Sequence, residues 1–481
     1  MGKFTIADNT LILTDNTYDC VGEVVASQQV EALRYLAALS RQSLQSAGLL
    51  IFPAADSVPE DQKEDGDYLS GVHSSSNKPI LSVQHLQDNT YSINTGNLVG
   101  FIGCGDLKII IQSRFATENG DFWLHYLMQQ VLRLNVVDLP ITPSPVESIL
   151  NLLPLLFPSY LVRALNQGIF KQYQRFHYND SKPHGTLEVA RHLKANVPFQ
   201  GNVAYSTREF SCDNPVTELI RHTIEFLKTK PQWAPLLDLN ADVTEAVQQI
   251  EQVTPCFARS ALSAVITANH RQCAHPLLTD YVPLQQLCLK ILRHEDEGLR
   301  FSTDKEQVYG VLFDISYLWE EYLALQLQPL GFAHQSNVQR QFWPLAKSGS
   351  GDSHLLFCPD FILNPSSEAL HGNEPPTTSL VADAKYKRYE DKIPDNEDVF
   401  QMLRYMYALR AEHSLLLSPA SRENPKESHY DFSGYGGTLD VRFLAVPQQT
   451  ASYLDFCAQM QGAEESFSMT IRDFLQSIDQ Q

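Results

Sequence analysis

The 481-residue sequence has no CxxC pair, no HExxH, no G-x-S-x-G and no GxxxxGK[ST]. Each absence removes a class of chemistry. Without paired spacing, the eight cysteines at 20, 104, 212, 256, 273, 288, 358 and 457 form neither a zinc site nor a disulfide framework, and they read as reduced thiols. Without a phosphate loop the chain is no P-loop motor, and it is expected to bind no nucleotide itself. Zinc-protease and α/β-hydrolase mechanisms lack their motifs, and the fifteen histidines are dispersed.

Positive charge is also scarce: 36 Lys and Arg against 56 Asp and Glu leave a formal charge of −20. That excludes a free-standing nucleic-acid binder relying on its own field, but not a protein that a partner delivers to DNA. No long apolar run is present; "ILNLLPLLFPSYLV" is short and broken by two prolines, so no membrane span is expected. The start "MGKFTIADNT" lacks a signal-peptide layout, and Ile6 occupies the place where a myristoylation signal needs Ser or Thr. A cytoplasmic location is expected.

Hydrophobic content of 43% is normal for a chain that buries cores, and the length allows two to four domains at ~150 residues each. Residues 1–125 mix β-type runs ("NTLILTD", "GLLIFP", "LKIIIQS") with a helix-like stretch near 27–46. The segment "DSVPEDQKEDGDYLSGVHSSSNKP" reads as an exposed loop. Residues 126–300 read as mainly helical, ending in the polar cluster "RHEDEGLRFSTDKEQ". Residues 301–481 open with a helix over "QVYGVLFDISYLWEEYLALQL". A strand "HLLFCPDFIL", a strand "SLVADAKYK", a helix over 396–411, strands "SLLLSP" and "LDVRFLAVP" and a closing helix follow. The expected fold is α+β and multidomain: a β-rich N-terminal region, a helical middle and a C-terminal α/β domain.

An acid-x-Lys triplet is weak by itself, and the sequence has five: at Asp61, Asp106, Asp180, Asp383 and Glu390. Asp383 and Lys385 differ in company. Two apart in a strand, they project from one face, and the flanking "LVA" implies burial, where both charges are costly unless they serve each other or an ion. Asp360 follows Pro359 in the preceding strand, so pairing of the strands would bring two carboxylates to one lysine. Two hard oxygen anions and waters suit Mg²⁺. The helix after them carries Asp398, Gln401 and Tyr405 on one face, with Val399, Leu403 and Met406 expected to supply the core contact. Glu320, or Glu321 beside it, lies in the helix before them. A structural Asp383–Lys385 ion pair is the competing reading.

A basic window with aromatic residues stands out between 160 and 195. Arg163, Lys171, Arg175, Lys182, Arg191 and Lys194 face only Asp180 and Glu188, about +4 in an acidic protein. It reads either as an ordinary basic helix–loop or as a nucleic-acid or partner patch.

The order Glu, Pro–Asp, Asp-x-Lys, Gln-x-x-x-Tyr resembles the PD-(D/E)xK (restriction-endonuclease-like) nuclease superfamily, in the branch ending in Gln-x-x-x-Tyr. More narrowly, "GNLVGFIGCGDLKIIIQSRF", "HGTLEVARHLKANV", "REFSCDNPVTELIRHTI" and "DISYLWEEYL" are similar to landmarks of the McrC family of McrBC- and LlaJI-type restriction systems, over roughly 95–450. Leu318-Trp319-Glu320 stands where the family has Leu-Phe-Glu, which favours Glu320 over Glu321. "PHGTLEVARHL" departs from the family's more basic Arg-Gly form. The resemblance implies a Mg²⁺-dependent DNA endonuclease subunit in modification-dependent phage defence, acting on double-stranded DNA with a McrB-like AAA+ GTPase hexamer that it stimulates. It implies Asp360, Asp383 and Glu320 as metal ligands, Lys385 as the water-positioning group, and Gln401 and Tyr405 as its supports. It further implies a partner-binding role for 1–125 and a nuclease domain over 301–481. A non-catalytic activator of the ring and a RecB-like repair nuclease are the alternatives.

Overall fold

The computed structural model describes residues 2–40, 49–53, 80–133, 149–297, 308–334, 342–347, 353–365, 374–423, 425–434 and 436–479. The acidic loop expected at 56–79 lies outside the described residues, as do 298–307 of the boundary cluster and 366–373 of the insertion between the two acidic strands. The chain forms two compact units: Met1–Leu152 with Arg300–Gln481, and Leu153–Leu299. No described helix is long and apolar enough to cross a membrane.

The first unit opens with strands β1 (Ile6–Ala7), β2 (Thr10–Thr14) and β3 (Cys20–Glu23), then helix α1 (Ser27–Ala38) and β4 (Leu50–Phe52). Strands β5 (Leu81–His85), β6 (Thr90–Thr95), β7 (Leu98–Cys104) and β8 (Leu107–Gln112) precede helix α2 (Phe122–Val131). The three β-type runs of the sequence are β2, β4 and β8. In β2 and β8 alternate apolar residues (Leu11, Leu13; Ile109, Ile111) point into one core with Leu33 and Leu36 of α1, as period-two patterning demands.

The second unit contains α3 (Leu153–Asn166), β9 (Gln172–Asp180), β10 (Thr186–Leu187), α4 (Val189–Ala195), β11 (Val203–Ser211), α5 (Pro215–Lys228), α6 (Ala241–Val253), α7 (Leu262–Ala268) and α8 (Tyr281–Glu297). The sequence reading of this stretch as helix with a basic helix–loop is corrected between 172 and 211, where the chain is an antiparallel sheet in the order β10-β11-β9. Its two long strands lie about thirty residues apart; β9 alternates exposed with half-buried positions and β11 buries only Ala204, Tyr205 and Ser206, so neither carries the long apolar run by which a strand is recognised.

The C-terminal part of the first unit begins with β12 (Val308–Asp314) and α9 (Ile315–Leu327), followed by β13 (Phe332–His334), β14 (Trp343–Lys347) and β15 (Ser353–Phe357). Then come β16 (Phe361–Leu363), β17 (Leu380–Ala384), α10 (Asn396–Leu409), β18 (His413–Ala420), β19 (Ser428–Asp431), β20 (Thr438–Ala445) and α11 (Tyr453–Asp479). The single helix expected over 307–327 is instead strand then helix. Gly310 takes a φ of +143°, outside the helical range, and a Cβ there would lie 2.2 Å from the Phe101 carbonyl oxygen. Asp314 then accepts from the Ser316 and Tyr317 amides and starts α9 as its N-cap. As a result β12 joins the N-terminal sheet, in the order β1-β2-β8-β7-β12-β4.

The C-terminal sheet runs β13-β16-β17-β18-β20-β19, parallel through β17, β18 and β20 and antiparallel elsewhere. The expected strand "HLLFCPDFIL" is divided at Cys358-Pro359-Asp360: β15 pairs with β14, and β16 enters the main sheet. Proline lacks the amide that would continue a ladder, which explains the break. Helix α10 covers this sheet through Met402, Tyr405, Met406 and Leu409, packed with Ile362, Val381 and Leu416. The expected core face of α10 therefore shifts. Asp398 and Tyr405 lie on the buried side, whereas Val399 and Leu403 are only half-buried.

Candidate active site

Antiparallel pairing of β16 with β17 sets Phe361 opposite Ala382 and Ile362 opposite Val381. Continuing that register by one residue places Asp360 opposite Asp383. The Asp360 Oδ2 accepts the Ala384 amide at 2.9 Å, which ties the first acid to the residue after the second. Asp383 is 1% exposed, and its Oδ1 has no hydrogen-bond partner. Burial first and the charge of Asp360 second raise it to about 7, against the pull of Lys385.

Lys385 lies one residue past the end of β17 but keeps the strand direction, since its amide donates to Leu417 O of β18 at 2.8 Å. Its Nζ stands 2.8 Å from Asp383 Oδ2 and 3.7 Å from Asp398 Oδ1. Burial works against the ammonium, but Asp383, Asp360 and Asp398 outweigh it and hold its pKa above the ordinary lysine value. The ammonium also donates to Gln401 Oε1 at 2.7 Å. With its oxygen so engaged, Gln401 turns its amide nitrogen to Tyr405, donating to the phenol oxygen at 2.7 Å. Tyr405 in turn donates to Cys358 O at 3.2 Å, two residues before Asp360. The polar row is a closed directional chain from Asp383 through Lys385, Gln401 and Tyr405 to the main chain at the Pro–Asp step.

Sequence reading noticed Asp398 without giving it a role, and missed Lys387 and Tyr389 altogether. Asp398 accepts from Lys387 Nζ at 2.5 Å and from the Tyr389 hydroxyl, and it joins α10 to the segment after β17. The continued alternation of "DAKYK" past the strand end was the available signal: Asp383, Lys385 and Lys387 all face Asp398, and Tyr386 faces away.

Glu320 is placed differently. Leu318 and Trp319 are buried, and the Trp319 indole donates to Leu417 O at 3.3 Å, so α9 is pinned to β18. Glu320 Oε1 and Glu321 Oε1 lie 4.0 Å and 3.6 Å from His334 Nε2. His334 donates through Nδ1 to Asp360 O at 3.0 Å. Burial disfavours the imidazolium, but Glu321, Glu320 and the Asp360 carbonyl prevail and raise it to about 9. Both glutamates thus face a histidine that holds the main chain of Asp360. Among the described residues, no three His, Cys, Asp or Glu side chains form a ready metal cage.

The six basic residues of 160–195 are not equivalent. Arg163 on α3 pairs with Asp280 at 2.9 Å. Arg191 on α4 pairs with Glu188 and donates to the carbonyls of Tyr178 and Tyr205, fastening α4 to the sheet. Lys171, Arg175, Lys182 and Lys194 are exposed. Arg208 of β11, beyond the sequence window, pairs in register with Arg175 and lies over the Tyr173 ring at 5.0 Å.

No curated protein matches the chain. Among solved structures, one chain of the refined half-complex from the tetradecameric assembly of Thermococcus gammatolerans McrB AAA+ hexamers with bound McrC is 15% identical. That match covers 97% of this chain and 100% of the other, with a TM-score of 0.45. A chain of the cryo-EM structure of the Thermococcus gammatolerans McrBC complex is 14% identical, over 66% of this chain and 87% of the other, with a TM-score of 0.27. The family model described as McrBC 5-methylcytosine restriction system component matches residues 93–419, more than half of the chain, including Asp360, Asp383 and Lys385. The chain belongs to the McrBC family of restriction system components.

Proposed function

We propose that this chain is the McrC-like DNA endonuclease subunit of a modification-dependent restriction complex, with a PD-(D/E)xK nuclease domain at its C-terminal end. The observation that carries the reading is the set around the buried Asp383: half-buried Asp360 across from it in register, and Lys385 2.8 Å from it and fixed by Gln401. A simple structural ion pair would need neither the second carboxylate nor the directional chain through Gln401 and Tyr405.

Mg²⁺ fits these residues. The Asp383 Oδ1 is buried without a partner, and burial together with the charge of Asp360 makes Asp383 costly to ionise, a cost that a hard cation relieves. Asp360 and Asp383 would hold it, with Glu320 a further candidate. Bound there, Mg²⁺ would offset charge on a scissile phosphate and acidify water. The chain's own residues do the rest. Lys385 stays protonated and presents a fixed donor to the phosphate or the attacking water, Gln401 and Tyr405 keep that donor in one rotamer, and Asp398 holds Lys387 beside it.

With a charge of −20, DNA must be delivered by another molecule, and a McrB-like AAA+ GTPase ring is the partner that family membership supports. In a complex with that partner, Asp383→Ala and Lys385→Ala are each expected to lower the cleavage rate by at least about 100-fold while GTPase stimulation persists. Undiminished cutting by either variant would refute the assignment. A wild-type chain that stimulates the GTPase without ever cutting DNA would identify it as a non-catalytic activator.

A further inference from the structure

The landmark "GNLVGFIGCGDLKIIIQSRF" ends at Ser113-Arg114-Phe115, to which the proposed chemistry gives no part. These residues follow β8. Strand β2 runs parallel beside β8, with Thr14 opposite Gln112, so Asp15 and Asn16 leave the N-terminal sheet at the same edge. Arg114 is held there: its amide donates to Asp15 Oδ1 at 2.8 Å, and its neighbour Ser113 donates twice to Asp121, at 2.7 and 2.6 Å.

The guanidinium of Arg114 does not stay in the N-terminal sheet. Nη2 donates to Lys387 O at 3.1 Å and Nη1 to Tyr386 O at 3.4 Å. Asn16 Nδ2 donates to the same Tyr386 oxygen at 3.1 Å. The guanidinium carbon lies 4.2 Å from the Tyr386 ring centre, and Phe115 meets that ring edge-on at 6.2 Å. Tyr386 is 3% exposed. The carbonyls clamped are those of the two residues after Lys385, where β17 has already ended. Alternation sends Lys385 and Lys387 toward Asp398 and Tyr386 toward Arg114, so a twist of this segment would turn both lysines at once.

We propose that Arg114 is a positioning residue: by gripping Tyr386 and Lys387 from the N-terminal sheet, it sets the direction of the Lys385 ammonium and makes cleavage depend on that sheet. This rests on the nuclease reading above. It deepens that reading by adding a residue nearly 250 positions before the Pro–Asp step and by giving the "QSRF" landmark a task.

The test uses the full chain with its AAA+ partner, GTP, Mg²⁺ and DNA. Arg114→Ala should cut 10- to 100-fold more slowly in kcat, with KM for DNA and GTPase stimulation within twofold of wild type. Arg114→Lys, which keeps the charge but cannot reach two carbonyls with one planar group, should restore part of the rate. Guanidinium ion added to Arg114→Ala should restore part of it too, a response that a purely structural defect would not show. Asn16→Gly removes the companion donor at a residue whose φ of 46° glycine adopts readily, and should slow cutting about threefold even if Arg114→Ala fails to fold. Wild-type kcat in folded Arg114→Ala, or in Asn16→Gly where Arg114→Ala does not fold, overturns the inference and leaves the nuclease reading standing, provided Lys385→Ala is inactive. A wild-type chain that never cuts sinks both.

Discussion

Lys385 is oriented by three different kinds of contact: a carboxylate, an amide oxygen and a main-chain bond to the next strand. Removing the far end of the row tests how much that order matters. Tyr405→Phe removes the hydroxyl that accepts from the Gln401 amide and donates to Cys358 O, yet keeps the ring in the core. Cleavage should fall about 10-fold for a stability loss of about 1 kcal/mol, read by single-turnover cutting and by urea unfolding. Asp15 supplies a pH test away from the acids of the site. Burial first raises it to about 6, while Arg114 pulls the other way. Because the folded value lies above the unfolded one, Asp15's contribution to stability is complete below about pH 4 and is lost as pH rises through about 6. The unfolding free energy of wild type relative to Asp15→Asn should therefore fall by about 1 to 3 kcal/mol between pH 4 and 7. A flat difference across that window would assign Asp15 an ordinary pKa.

At the scale of elements, the pairing of β7 with β12 depends on two glycines. A Cβ at Gly100 would lie 2.1 Å from Val311 O and one at Gly310 2.2 Å from Phe101 O, and both residues have positive φ. Neither obstacle is a flexible side chain. Gly310→Ala should cost about 2 to 4 kcal/mol in chemical denaturation, whereas Gly462→Ala, with open space around it, should cost nothing measurable. These glycines also mark where the sequence was hard to read. "VYGVLFD" runs directly into an apolar helix, and only the Gly310 conformation and the Asp314 cap divide them. The runs of β2 and β8 were legible because alternate residues enter the core, and those of β17 and β20 because they are short, nearly continuous buried runs. The sheet of β9 to β11 was not, since β9 buries no residue and β11 only Ala204, Tyr205 and Ser206. In the site, Asp360, Asp383, Lys385, Gln401 and Tyr405 could be picked out by their order and spacing, although the apolar pattern of α10 set Tyr405 away from the core in which it is buried. The grip of Arg114 on Tyr386 joins residues far apart in sequence, and the approach of Glu320 to His334 depends on how β13 folds back on the preceding helix; no local pattern encodes either meeting.

For the whole molecule, the proposed cation should act as a ligand of the folded state. A thermal unfolding series with added Mg²⁺ should show a rise in Tm for wild type and for Lys385→Gln, and none for Asp383→Asn. An equal rise in Asp383→Asn would place the responsible site elsewhere. The large negative charge also predicts that the chain without its partner holds DNA poorly, and that lowering the salt should improve this far less than adding the AAA+ ring.

Strand β12 threads between β7 and β4, so residues from both sides of the 153–299 unit complete one sheet. In a fragment cut at 301, β12 would be a bare apolar ribbon, and the portion left behind would gape where that ribbon had been. Each half would be prone to clump. Yet the same two pieces, made together, should find one another and regain the sheet, which makes this chain suited to split-protein reassembly and unsuited to transplanting its cutting half alone.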